Sequence, residues 1–185
     1  MKFSELCAKV GLPSSARRGD VDIQRVVSDS RRVKGGDCFV AVRGSDSDGH
    51  DYICDAIEAG CLAVVCQDAS RVPEDLPCAV VADTRCIVGP LAQAAAGWPG
   101  RKLEVVGITG TNGKTTVAFL LRDILRQAGN KVAMLGTVCY ETVLGSVPAR
   151  ETTPGADELA GMMQETCLLY TSDAADEGLG VDRGG

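Results

Sequence analysis

The residues best placed to do chemistry are Gly110-Thr111-Asn112-Gly113-Lys114-Thr115-Thr116. Two glycines let the backbone curl so that several N–H groups converge on one anion, and let phosphate oxygens approach closely. A lysine directly after the second glycine can neutralise charge on the β- and γ-phosphates of a nucleotide. The threonine hydroxyl that follows can ligate Mg2+. The general phosphate-loop pattern asks for glycine at 108, where this chain has Ile108, and Gly107 stands one residue too early. The segment is therefore a variant phosphate loop, and its chemistry depends on being presented between a strand and a helix. Three polar segments are further candidates: Ser28-Asp29-Ser30, Ser45-Asp46-Ser47 and Thr152-Thr153-Pro154. Each has a local alternative. Ser and Asp bond their own backbone in turns, and Thr-Pro can open a helix as N-cap and first residue. The single histidine, His50, closes a loop before an apolar helix and is assigned no catalysis.

The elements around these residues must hold them in place. Leu103–Thr109 is rich in β-branched residues and predicts a strand; a helix follows from Lys114 to Ala128. Its positions Val117, Leu120, Leu121, Ile124 and Ala128 share one face, and Gly129-Asn130 stops it. Lys131–Val138 predicts the next strand. Strand, glycine turn, helix, strand is a βαβ unit, which calls for a parallel sheet and a right-handed crossover. Upstream, Cys38–Val42, Leu62–Cys66 and Cys78–Ala82 are apolar runs of strand length. Ile53, Ala56 and Ile57 make a helical stripe ended by Gly60, and Thr84–Ala96 carries another with Leu91, Ala94, Ala95 and Trp98. Strands alternating with helices indicate α/β packing. Trp98-Pro99-Gly100-Arg101 breaks the pattern and marks a domain boundary. A helix is expected from Ala156 to Glu165. Leu168–Gly185 is small, acidic and unpatterned, and is expected to be a disordered tail.

Composition narrows the function. The 185 residues carry 19 Lys+Arg against 25 Asp+Glu, a net charge of −6, with 45% apolar and 24% charged residues. These are the proportions of a soluble globular chain. No apolar run approaches the ~20 residues that span a bilayer, and the N-terminus has no apolar signal core. An acidic chain is a poor match to nucleic acid. The nine cysteines are odd in number, contain no Cys-x-x-Cys pair and lie in part within apolar runs. That scatter argues for buried free thiols in a reducing cytoplasm, and against a zinc site.

At Gly110–Thr116 the sequence resembles the Mur ligase family, the ATP-dependent amino-acid ligases of peptidoglycan synthesis. Ser28-Asp29-Ser30-Arg31-Arg32-Val33-Lys34-Gly35-Gly36-Asp37-Cys38-Phe39-Val40-Ala41 and Asp48-Gly49-His50-Asp51-Tyr52 resemble the N-terminal UDP-binding domain of the branch that adds the third peptide residue. Arg150-Glu151-Thr152-Thr153-Pro154 resembles its substrate-contacting loop. The similarity covers about residues 1–166. It implies an α/β chain with a small N-terminal α/β UDP-binding domain (1–97), then the truncated start of a parallel-sheet P-loop ATPase domain (98–167). Residues 168–185 match nothing in the family, and Leu169–Glu177 resembles translated adapter read-through.

The implied cofactors are ATP and Mg2+. Gly110, Thr111, Asn112, Gly113, Lys114, Thr115 and Thr116 would bind ATP, Lys114 would be the catalytic residue and Thr115 a metal ligand. Ser28, Ser30, Ser45, Asp46 and Ser47 would hold the uridine nucleotide, and Thr152 and Thr153 the muramoyl-peptide. The implied substrates are UDP-N-acetylmuramoyl-L-alanyl-D-glutamate, ATP and meso-diaminopimelate or L-lysine. The domain that selects the incoming amino acid is expected to be absent from this chain. So are the family's glutamate for Mg2+, its histidine and its carbamylated lysine, which leaves the fragment inactive. The implied protein is a cytoplasmic monomer with no nucleic-acid or membrane partner. Two other readings stay open: an amide ligase of the folate-polyglutamate or cyanophycin type, which would lack the UDP-binding segment, and a standalone nucleotide-binding module.

Overall fold

A computed structural model describes residues 1–13, 19–44, 47–142 and 144–176, with side chains to 168. It divides into two compact units: Met1–Trp98 with Gly155–Ala160, and Pro99–Pro154 with the rest.

In the first unit, β1 (Arg25–Val27), β2 (Asp37–Val40), β3 (Ala63–Cys66) and β4 (Cys78–Val80) form one parallel sheet in that order. Every residue of β2 and β3 is buried. That is why these runs are apolar without alternation: a parallel strand with both faces covered needs no polar side. One face packs α1 (Phe3–Lys9) and α3 (Thr84–Ala95) through Phe3, Leu6, Leu91 and Ala94 against Val26, Cys38, Val40, Ala63 and Val65. The other packs α2 (Ile53–Glu58) through Ile53 and Ala56 against Val27, Phe39, Ala41, Val64 and Cys66. The strands predicted at 38–42, 62–66 and 78–82 and the helix at 84–96 all form, with ends shifted by at most two residues. The elements that sequence reading missed, α1 and β1, are short. Five of the nine cysteines are buried (7, 38, 61, 66 and 167), whereas Cys54 and Cys86 are exposed. Desolvation pushes the thiols of Cys7, Cys61 and Cys66 up to about 11.

The first unit closes at the end of α3, where Gly97 and Trp98 both adopt positive φ, 78° and 57°. The Trp98 N–H donates to the Gln93 carbonyl at 2.7 Å. Its indole packs against the first face of the sheet, which holds a non-glycine residue in a left-handed conformation.

The second unit departs from the expected βαβ unit. Helix α4 (Lys114–Gln127) forms as predicted, but Leu103–Thr109 joins no sheet. Within Lys131–Val138 only Met134–Leu135 is a strand, β5. It pairs antiparallel with β6 (Cys139–Thr142), which pairs antiparallel with β7 (Gly145–Pro148). The predicted parallel pairing is thus replaced by an antiparallel meander. A hairpin closes locally, whereas two parallel strands with one crossover helix have too few neighbours to cover both faces. Consistent with this, Val105, Val106, Val117, Leu120 and Ile124 are exposed. Glu141 of β6 ties the meander to α4, accepting from Arg122 and Arg126 at 2.8 Å each.

Helix α5 (Ala156–Asp176) starts where expected but runs well past Glu165. The expectation of disorder from Leu168 is therefore corrected as far as Asp176. No glycine or proline interrupts the chain between Gly161 and Gly178, and Leu168, Leu169, Ala174 and Ala175 favour helix. The rest of the expected tail, 177–185, lies outside the described residues. The Thr-Pro helix entry is also corrected: the first turn closes with Leu159 N–H on the Gly155 carbonyl, two residues beyond Thr153.

Candidate functional site

The phosphate loop sits at the mouth of α4. Gly113 caps the helix in a left-handed conformation, φ 79°, and Gly110 has φ 149°. A side chain at either position would be strained, which explains both glycines. No side chain caps the helix, so its first N–H groups remain directed at the loop, as an anion site requires. The Lys114 ammonium folds back and donates to the Gly110 carbonyl at 2.5 Å. Thr115 and Thr116 continue the first turn. The arrangement can bind a phosphate group through backbone, helix dipole and the Lys114 ammonium. Thr115 offers a hydroxyl of the kind a phosphate-bound Mg2+ takes. Among the described residues no cluster of three or more His, Cys, Asp or Glu side chains could hold a metal.

In the first unit, Ser28, Ser30 and Ser47 come after the carboxyl ends of parallel strands β1 and β2, where open α/β sheets present ligand-binding loops. Ser28 directly follows β1, and Ser30 opens a short 3-10 turn, Ser30–Arg32. Asp29 caps that turn, accepting from Arg31 N–H at 3.0 Å. The Arg31 guanidinium bonded to its side chain holds its carboxyl below the usual range. The segment is thus the turn that its composition allowed, with Ser30 as its first residue and Ser28 just before its cap. Ser28 is engaged by α5: its Oγ donates to Asp157 Oδ1 at 3.1 Å and its N–H reaches Asp157 Oδ2 at 3.3 Å. Arg32 lies 3.8 Å from the same carboxylate and 3.6 Å from Glu158.

Ser47 lies in the loop after β2, where its carbonyl accepts from Gly44 N–H at 2.8 Å. Ser45 and Asp46 lie outside the described residues. The base of this loop is clamped. Arg43 Nε donates to Asp48 at 3.1 Å, and Gly49 N–H donates to the Val42 carbonyl at 2.9 Å. A Cβ on Gly49 would come within 2.6 Å of Val42 backbone atoms, so only glycine fits. His50 is buried; its Nε2 accepts from Gln67 N–H at 2.9 Å, so its Nδ1 carries the proton donated to Asp48 at 2.5 Å. Both ring nitrogens are committed to structure, in keeping with a loop-closing residue.

Thr152 and Thr153 are exposed in the second unit, and the Thr137 hydroxyl donates to Thr152 Oγ1 at 3.4 Å. Buried Tyr140 anchors their loop: its hydroxyl donates to the Glu151 carbonyl at 2.7 Å and accepts from Glu151 N–H at 3.1 Å. Sequence reasoning missed Asp157, Arg32 and Tyr140 as neighbours of candidate residues. Asp157 follows the Thr-Thr-Pro motif closely, but nothing in its spacing shows that it meets Ser28, 129 positions away.

Comparison with known proteins adds a second line. The "Mur ligase family, catalytic domain" model matches residues 22–97 and the "Mur ligase middle domain" model residues 108–169. A UDP-N-acetylmuramoyl-L-alanyl-D-glutamate--2,6-diaminopimelate ligase of Parabacteroides distasonis is 42% identical over 88% of this chain and 34% of its own length. A UDP-N-acetylmuramyl-tripeptide synthetase of Deinococcus radiodurans is 36% identical over 99% of this chain and 39% of its own length. That alignment takes in residues beyond Leu168, which sequence reading sets outside the family. Among solved structures, a UDP-N-acetylmuramoylalanyl-D-glutamyl-2,6-diaminopimelate--D-alanyl-D-alanyl ligase of Acinetobacter baumannii aligns with TM-score 0.58 at 23% identity over 89% of this chain and 34% of that one. A UDP-N-acetylmuramoyl-L-alanyl-D-glutamate--2,6-diaminopimelate ligase structure gives 0.59 at 20% over 91% and 34%. These likenesses are of fold. The chain spans about a third of the length of the curated relatives it matches.

Proposed function

The chain belongs to the Mur ligase family, and on that premise we propose that it carries the uridine-nucleotide and ATP sites of the ligase that adds the third amino acid of the peptidoglycan peptide. The observation that carries this reading is the glycine-bounded loop with Lys114 at the mouth of α4, in a chain 42% identical to a relative named for that reaction. In the proposed reaction the γ-phosphoryl group of ATP passes to the side-chain carboxylate of D-glutamate, giving an acyl phosphate and ADP. The amine of meso-diaminopimelate or L-lysine attacks that carbonyl, inorganic phosphate leaves with the C–O electron pair, and the amine loses a proton.

In this reading the backbone N–H groups from Gly110 to Thr116 hold the phosphates, and Lys114 exchanges the Gly110 carbonyl for a phosphate oxygen. Phosphoryl transfer depends mainly on such positioning and charge stabilisation. Thr115 is the ligand this chain offers to Mg2+, which when bound neutralises phosphate charge. Residues 1–97 form the uridine-nucleotide domain, with Ser28, Ser30 and the Ser45–Ser47 loop as its contacts. Residues 98–167 begin the ATP-binding domain, with Thr152 and Thr153 toward the muramoyl-peptide. In this reading the protein works in the cytoplasm, where ATP and the UDP-linked substrate are met.

Calorimetric titration of the 185-residue chain with UDP-N-acetylmuramoyl-L-alanyl-D-glutamate tests the proposal. Saturable binding that UDP competes away is expected. Heat indistinguishable from dilution, on protein shown to be folded by circular dichroism, refutes it.

A further inference from the structure

The contact between Ser28 and Asp157 bears on what Ser28 can recognise. The Asp157 side chain is only 4% exposed. It takes both donors that Ser28 owns: the hydroxyl proton at 3.1 Å and the backbone N–H at 3.3 Å. A carboxylate only accepts, so the direction of both bonds is fixed. A serine hydroxyl has one proton and two lone pairs, and with the proton spent on Asp157 it stands directly after β1 as an acceptor. A phosphate oxygen is itself an acceptor and gains nothing from such a group. An N–H or O–H does.

We propose that Asp157 is a positioning residue that turns Ser28 into a hydrogen-bond acceptor, so that Ser28 reads a donor on the nucleoside half of the uridine nucleotide, the uracil N–H or a ribose hydroxyl, and not the diphosphate. The inference rests on the uridine-nucleotide reading above and deepens it. Glu158 and Arg32 fit the same division. Arg32 lies within 4 Å of both acidic side chains and, as a guanidinium, is the kind of group that could meet negative charge. Because Ser28 and Asp157 act as one unit, removing both costs no more than removing Ser28 alone.

The test measures affinity of the full 185-residue chain for uridine and for UDP separately, by titration followed in two-dimensional NMR. Ser28→Ala is expected to weaken both ligands by the same factor, about two- to tenfold, the worth of one neutral hydrogen bond. Asp157→Ala weakens both in the same direction, and the Ser28→Ala/Asp157→Ala double variant matches Ser28→Ala. Asp157→Asn, which keeps an acceptor oxygen and disturbs the helix least, restores most of the loss. Loss for UDP with uridine unchanged overturns the inference in favour of a diphosphate contact. So does strict additivity of the two alanine variants. A lowered melting temperature for Asp157→Ala and Asp157→Asn with uridine affinity intact overturns it in favour of a purely structural role. If wild type binds UDP but Ser28→Ala binds both ligands equally well, this inference alone falls. If wild type binds neither, the uridine-nucleotide reading falls with it.

Discussion

Replacing Lys114 by alanine tests the phosphate loop directly. In the free chain the ammonium is bonded to the Gly110 carbonyl at 2.5 Å. Nucleotide binding therefore exchanges one charge-assisted bond for another. A lysine–phosphate bond contributes about 1.5–3 kcal/mol. The surrendered bond to a carbonyl at an exposed helix mouth offsets about 0.5–1 kcal/mol of that. The net loss expected for Lys114→Ala is about 1–2 kcal/mol, or roughly five- to thirtyfold in affinity. The N–H groups of the loop and the dipole of α4 survive the substitution, so binding should weaken without vanishing. The assay is isothermal titration of the 185-residue chain with a non-hydrolysable ATP analogue and Mg2+. Cys139→Ala, a change in β6, serves as a control expected to leave affinity unchanged, and circular dichroism checks that each variant is folded. Equal affinity for wild type and Lys114→Ala would remove the loop from the nucleotide site.

Three further outcomes follow from the structure. Asp37 is 1% exposed and accepts from Arg25 at 3.0 and 2.7 Å and from Lys34 N–H at 2.8 Å. Asp37→Ala should lower urea stability by about 2–3 kcal/mol, below the full cost of breaking a buried pair because Arg25 is 48% exposed and can turn to water; a change under about 0.5 kcal/mol would contradict this. Arg126 and Arg122, bonded to the Glu141 side chain, hold its carboxyl below its ordinary 4.5. The contribution of that pair is therefore complete above about 4.5 and is lost as pH falls through the lower folded value, so α4 and the meander should loosen in acid, and Glu141→Gln should flatten the acid limb of a melting-temperature profile. Exposed Cys54 should be alkylated by iodoacetamide well before Cys7, Cys38, Cys61 and Cys66, whose burial raises their thiols; peptide mapping over time gives the order, and early labelling of Cys38 would refute the core as described.

The parts legible in the sequence are those with a local physical signature. The apolar runs at Phe39, Val64 and Ala79 announced strands of an α/β layer, and Gly113-Lys114 announced a helix mouth. Strand β1, with three residues between polar neighbours, carries too short a pattern to stand out. Leu103–Thr109 shows the opposite failure: its β-branched residues favour extended backbone, but a ladder needs partners that propensity cannot supply. The antiparallel meander at 139–148 was missed because Gly145 and Ser146 dilute its alternation. In the candidate site, Ser28 and the phosphate loop could be named from motifs. What holds Ser28 could not, because Asp157 meets it through tertiary packing alone.

Strands β2 and β3 are buried along their whole length, so their apolar residues carry no polar alternation to mark the register. In most sheets the alternation of apolar and polar side chains forbids a one-residue slip, and here that safeguard is missing. Arg25 and Asp37 stand opposite each other as the first paired residues of β1 and β2. A shift of one position would leave the buried Asp37 carboxylate without its guanidinium, at a cost of about 3–5 kcal/mol. The ion pair thus does for β1 and β2 what a keyed connector does for two identical plugs. It admits one alignment, and with it the one placement that puts Ser28 and the Ser47 loop side by side at the carboxyl edge of the sheet.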